Sequence, residues 1–187
     1  DQERVGDPLY RGPELLAVGG GPGLEQMLAL FPLAQFERHA DLHLLRGLLA
    51  FSRYDWDTLF EAMHQAATGY ARAGRRRDEA VASAYACAGL HHIGRKDEAS
   101  TQLEALRALD VDDAARAVIL YISAWDAFAG ERSEEVVGFV AAMLDCLERM
   151  PDVRLWLQCA NLSLLVGLPG MGALLERFAV GVTRVAG

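Results

Sequence analysis

Apolar residues recur along most of the chain at the alternating three- and four-residue spacing of a helix face. Between Ala40 and Ser52, Leu42, Leu45, Leu48, Leu49 and Phe51 make one broad stripe. Beyond Arg53-Tyr54-Asp55 a second stripe carries Trp56, Leu59, Phe60, Met63, Ala67 and Tyr70, and Gly74 with arginines behind it supplies a C-terminal stop. The same period predicts helices over Leu24 to Phe31 (ended by Pro32), Glu79 to Ile93, Asp97 to Leu109 and Asp112 to Phe128. Three more follow, over Ser133 to Met150, Asp152 to Val166 and Pro169 to Val185. Acceptors just ahead of these stripes, Asp55 or Asp57, Asp97, Asp112, Ser133 and Asp152, read as N-caps. Ala and Leu dominate and β-branched runs are rare, so the expected class is all-α. Residues 1–23 hold Pro8, Gly12, Pro13, Gly19-Gly20-Gly21, Pro22 and Gly23. They read as an irregular lead-in or linker, with one helical turn around Glu14-Leu15-Leu16, ahead of a helical-repeat domain over 24–187.

A repeat underlies the pattern. Four inter-helix segments pair a turn residue with a helix start: Tyr54-Asp55-Trp56-Asp57, Gly94-Arg95-Lys96-Asp97-Glu98-Ala99, Gly130-Glu131-Arg132-Ser133-Glu134-Glu135 and Gly167-Leu168-Pro169-Gly170. Their spacings are 40, 36 and 37 residues. Two helices of ~13 residues with two short turns fill such a period, and one hairpin alone cannot bury its apolar faces. Stacking hairpins removes that difficulty, provided small residues stand where helices cross. Gly47, Ala66, Cys87, Ala88, Ala99, Ala142 and Ala160 fall near such places.

These units resemble tetratricopeptide (TPR) hairpins. Leu42 to Ala66 has Gly47 at the small position of the first helix, the Tyr54–Asp57 turn, and Ala66 on the second helix. The run Gly94 to Ala99 resembles the TPR turn, and Trp156 stands at the early aromatic position of the fourth unit. In the third unit Glu135 stands where the pattern has a small residue, which leaves two registers open, about one residue apart. The stretch Met27-Leu28-Ala29-Leu30-Phe31-Pro32, followed by His39-Ala40-Asp41-Leu42-His43-Leu44-Leu45-Arg46-Gly47, resembles the start of the helical-repeat region of large bacterial ATP-dependent LuxR-type regulators, the MalT-like family. The resemblance implies a right-handed α-solenoid of about four TPR-like hairpins. It further implies a non-catalytic sensor or protein-interaction segment of a cytoplasmic transcriptional regulator, taking an inducer or protein partner on its concave face and taking part in self-association. A freestanding TPR adaptor unrelated to transcription is the alternative. Threading the TPR pattern from Gly47, Gly94, Gly130 and Gly167 puts Phe51 and Ser52, His91 and His92, Leu120 and Ala124, and Arg154 and Asn161 on that face. The alternative register of the third unit brings in Tyr121 or Trp125 in place of Leu120 and Ala124. Aromatic, imidazole and amide groups over an apolar floor suit a small polar ligand or an extended peptide.

Charge narrows the partners. The formal net charge is −8, and the densest cationic cluster is Arg75-Arg76-Arg77 in a turn. A surface that grips phosphate backbone shows a basic face, so direct nucleic-acid binding is not expected. No apolar run reaches the ~18 residues of a membrane span, and no signal-peptide pattern opens the chain. Cys87, Cys146 and Cys159 are odd in number, far apart and in apolar contexts, which suits reduced buried thiols and the cytoplasm. His39 and His43 share a helix face, as do Cys87 and His91, but zinc needs three or four convergent ligands and no metal site is expected. Gly19 to Gly23 lacks the Gly-Lys-Ser/Thr ending of a phosphate-binding loop, so no cofactor is expected either. Ser52, Ser83, Ser123 and Ser163 lie outside any nucleophile-elbow context, and Glu98, Asp112-Asp113 and Glu134-Glu135 fall in first helical turns, where the helix dipole explains them. An enzyme is not expected.

Overall fold

The computed structural model describes residues 20–36, 38–150 and 152–186, and the backbone alone at Leu33. Most of the lead-in, including the turn expected at Glu14-Leu15-Leu16, lies outside the described residues. Among the described residues all regular secondary structure is helical, with no strand. In order they form α1 (Gly21–Ala29), α2 (Leu33–Phe36), α3 (Ala40–Ser52), α4 (Trp56–Arg72), α5 (Arg76–His92) and α6 (Lys96–Arg107). Then come α7 (Asp113–Ala129), α8 (Ser133–Glu148), α9 (Val153–Gln158), a 3-10 helix (Ala160–Leu165) and α10 (Met171–Ala186). None is long and apolar enough to cross a membrane. The chain divides into two compact units, one ending at Ala99 and the other starting at Ser100.

Four connections share one geometry. After α3, α4, α5 and α7 the chain turns through a single left-handed residue: Tyr54, Gly74, Gly94 and Glu131, with φ of 58°, 69°, 91° and 59°. That residue donates its N–H to the carbonyl three positions back, and the next residue (Asp55, Arg75, Arg95 or Arg132) donates to the carbonyl five back, at 2.9 to 3.0 Å. This is the Schellman ending, which satisfies two otherwise orphaned carbonyls per helix. Its second donor is also the start of the next helix. Asp55 caps α4 by accepting from the Thr58 N–H. Arg75, Arg95 and Arg132 each reach instead to the acid three residues on, Asp78, Glu98 and Glu135.

In the first unit α4 lies between α3 and α5. Close approach rests on glycine: a Cβ on Gly47 would stand 2.7 Å from Met63, and one on Gly89 would stand 2.9 Å from the Phe60 backbone nitrogen. Leu24 and Leu28 of α1 join Leu42, Leu45 and Leu49 of α3 in one apolar cluster. Behind it Leu59, Met63, Ala66, Tyr70, Tyr85 and Leu90 are buried. Tyr70, without exposed surface, donates its hydroxyl to Asp41 at 2.9 Å. In the second unit α7 packs on α8, and α10 lies on α8 and α9. Arg149 reaches back to Asp113, and Arg177 of α10 holds Asp145 and Glu148 of α8. The long link after α6 is closed by Arg116, whose guanidinium donates to the Arg107 and Leu109 carbonyls.

The structure corrects several expectations. The helix expected from Asp152 to Val166 breaks at Cys159 and continues as a 3-10 helix. Asn161 and Ser163 are poor helix residues, and Asn161 is held from its side by Tyr121. Asp97 and Ser133 are not N-caps: their helices begin at Lys96 and Ser133, because the Schellman turns end on Arg95 and Arg132. For the same reason α5 starts at Arg76, three residues before Glu79. The lead-in ends earlier than residue 23, since Gly21 opens α1 with Pro22 in its first turn, where a missing N–H costs nothing. Ala160 is exposed and serves no helix crossing. Asp55, Asp112 and Asp152 do cap, accepting from the N–H groups of Thr58, Ala115 and Arg154. The three cysteines are buried free thiols.

Candidate functional site

The α3–α4 turn places Tyr54 in the left-handed region with 62% of its surface exposed. Two sister turns use glycine there. A side chain in this conformation costs roughly 1–2 kcal/mol, so an exposed tyrosine is the opposite of what stability favours. Its ring meets Trp56, the first residue of α4, edge-on at 5.6 Å. Trp56 in turn carries His92, the last residue of α5, stacked flat at 3.8 Å and 14°. Phe51 closes the group from α3, edge-on to Trp56 at 6.2 Å and to the buried Tyr85 at 5.3 Å. His91 is buried behind, its ring 5.5 Å from that of His92.

Three expected residues, Phe51, His91 and His92, are therefore brought to one ledge at the ends of α3 and α5. Tyr54 and Trp56 complete it, though the periodicity marks Trp56 as core. In the turn alignment Trp56 corresponds to Lys96 and His92 to Ser52, so the stack joins the start of α4 to the end of α5 and periodicity gives no signal for it. Partial desolvation against Trp56 lowers the pKa of the otherwise exposed His92, and the neighbouring His91 and Lys96 lower it further. At neutral pH it is an uncharged ring offering a π face, one N–H donor and one acceptor nitrogen. Aromatic faces with an exposed phenol suit a planar or apolar group that also takes a hydrogen bond.

The expected residues of the second unit sit differently. Tyr121 has no exposed surface and donates its hydroxyl to the Asn161 side-chain oxygen at 2.6 Å. Leu120 and Ala124 are buried beside it on α7. Trp125 is half-buried, edge-on to Phe128 at 5.7 Å, and its indole N–H has no acceptor among the described residues. Arg154 folds onto Asp152, its neighbour at the start of α9, at 2.7 Å. In the first unit, Ser52 beside Phe51 turns its hydroxyl back to the Leu49 carbonyl. The structure pairs Tyr121 with Asn161 and leaves Trp125 and Arg154 with local partners.

Among the described residues no three His, Cys, Asp or Glu side chains gather as ligands for a metal ion. His43 lies edge-on to Phe36 at 5.7 Å, with its pKa lowered by burial. Burial pushes the Cys159 thiol up to about 12, which leaves it protonated and unreactive. The class these observations define is an all-helical protein of packed helix pairs with an exposed aromatic–imidazole ledge. No family model, curated protein or solved structure matches the chain.

Proposed function

We propose that this chain is a non-catalytic recognition segment whose helix pairs are about four degenerate TPR-like hairpins of the solenoid kind expected from the sequence. The observation that carries this reading is the recurrence of one Schellman turn, with the same two hydrogen bonds and the same left-handed residue, at four helix ends. Repeated hairpins of this sort serve as scaffolds that present side chains to a partner. The ledge of Tyr54, Trp56, His92 and Phe51 is the surface that supports a binding role best, because it retains a strained, exposed aromatic where glycine is cheaper. On the resemblance to MalT-like regulators, the segment is the inducer-sensing or partner-binding part of a cytoplasmic bacterial transcriptional regulator, and self-association belongs to the same reading. The partner is a protein or a small inducer; nucleic acid is left to other modules.

Selection of binders from a random-peptide display library, followed by hydrogen exchange on the complex, tests this directly. Protection at residues 51–58 and 90–95 is expected. Protection confined to other helices would contradict the assignment of the ledge.

A further inference from the structure

We propose a second site in the first unit: a cleft at the open end of the α3–α4 hairpin, opposite the ledge, that binds a small organic oxyanion such as a phosphate ester or a polycarboxylate. The cleft holds about 620 Å³, within the range that takes small ligands. Phe36, Gln65 and Thr68 line it together with Arg38, Arg72 and Arg75.

Arg46, Arg76, Arg107, Arg116 and Arg184 also lack an ion pair among the described residues, but none of them lines this cleft, which gathers two such arginines in an otherwise acidic chain. Elsewhere Arg53, Arg95, Arg132, Arg149, Arg154 and Arg177 each hold a carboxylate. Arg75 is likewise committed, to Asp41 at 3.1 Å and Asp78 at 2.7 Å, and its guanidinium lies 4.5 Å over the Tyr70 ring. Asp41, the one acid lining the cleft, is used up by Arg75 and by the Tyr70 hydroxyl. Arg38 and Arg72 have no acidic partner among the described residues, and both face the cleft. The lining thus carries more cationic charge than it neutralises. Oxyanions are the natural complement of guanidinium groups, which take them with paired, charge-assisted hydrogen bonds. Gln65 and Thr68 add neutral hydrogen-bonding groups, and the Phe36 ring supplies an apolar wall for the organic part. A part-buried network of Tyr70, Asp41 and Arg75 braces the floor at the junction of α3, α4 and the start of α5.

The test is calorimetric titration of the whole chain with inorganic phosphate, a hexose phosphate and citrate, each to ~10 mM, which reads millimolar or tighter affinity. At least one organic anion is expected to bind, and more tightly than inorganic phosphate, with affinity falling as NaCl rises from ~0.05 to ~0.5 M. Arg38→Gln/Arg72→Gln is expected to weaken binding at least ~10-fold while leaving the melting temperature unchanged, since neither arginine has a partner to lose. Thr68→Leu, which narrows the cleft without altering charge, is expected to weaken the organic anions alone. No heat with any of the three anions, or affinity indifferent to the double arginine change, overturns the proposal. Inorganic phosphate equalling the organic anions overturns its claim on the organic part. Trp56→Ala, at the other end of the hairpin, is expected to leave anion binding intact, which separates this site from the ledge.

Discussion

At the residue scale the turns are the sharpest points of tension. Glu131 and Tyr54 occupy conformations that glycine adopts freely, at φ 59° and 58°. Relief of about 1–2 kcal/mol of strain is offset in part by the added freedom of the unfolded chain, so Glu131→Gly is expected to stabilise by ~0.5–1 kcal/mol in denaturant melts. Tyr54→Gly is expected to gain less, because it also loses the edge contact with Trp56. A loss of stability in Glu131→Gly would mean that the turn is not left-handed there. Histidines set the pH response. Desolvation lowers the pKa of both His43 and His92, so the folded chain resists a proton that the unfolded chain takes near ~6.5. Their share of stability is complete above that pH and declines as pH falls through it. A second decline is expected further into acid. Glu25, Asp113 and Glu148, whose pKa values hydrogen bonds from Arg53, Arg149 and Arg177 lower, then give up that advantage below the unfolded carboxylate range of ~4. A melting temperature flat between pH 7.5 and 5.5, or a fall undiminished in His43→Asn/His92→Asn, would contradict the first step.

At the scale of elements, the seams between helices carry the fold. Leu48 and Leu103 are 6% and 0% exposed, and truncation of either to alanine is expected to cost ~2–5 kcal/mol in chemical denaturation. Values near those of surface positions would mean reversed helix faces. Gly181 of α10 sits under the Trp156 ring, where an added Cβ would stand 2.0 Å from the ring. Gly181→Ala is therefore expected to cost ~1–3 kcal/mol through displacement of α10 or of the ring. The helices were legible in the sequence because amphipathic period and turn chemistry are local: Leu42 to Leu49 and Gly74 speak for themselves. The break at Cys159 was not, since it depends on a tyrosine 40 residues away in sequence claiming Asn161. The ledge was half legible. His91, His92 and Phe51 follow from the repeat register, whereas Trp56 on them is a contact between hairpins that periodicity alone files under core. The cleft left no local signature at all, because an arginine's lack of a partner is a property of three-dimensional pairing.

At the scale of the whole molecule, the net charge of −8 and the absence of a basic stripe in the sequence argue against a nucleic-acid backbone as a partner. Duplex DNA is expected to show no salt-sensitive, micromolar binding to this chain in an anisotropy titration, and such binding would overturn the charge argument. The central claim is that the chain recognises a partner through the ledge at the ends of α3 and α5. Its most direct test is the affinity of a selected peptide for the wild type and for Trp56→Ala/His92→Ala, measured by calorimetry beside the melting temperature of each. Loss of a stacked aromatic anchor is expected to weaken binding at least ~10-fold, since such anchors are commonly worth 2 kcal/mol or more. Melting is expected to fall somewhat, because Trp56 packs on Phe51 and His92, but the fold should persist at the titration temperature, since His92 is exposed and Trp56 only half-buried. Affinity unchanged in the double variant, with the fold intact, would contradict the claim.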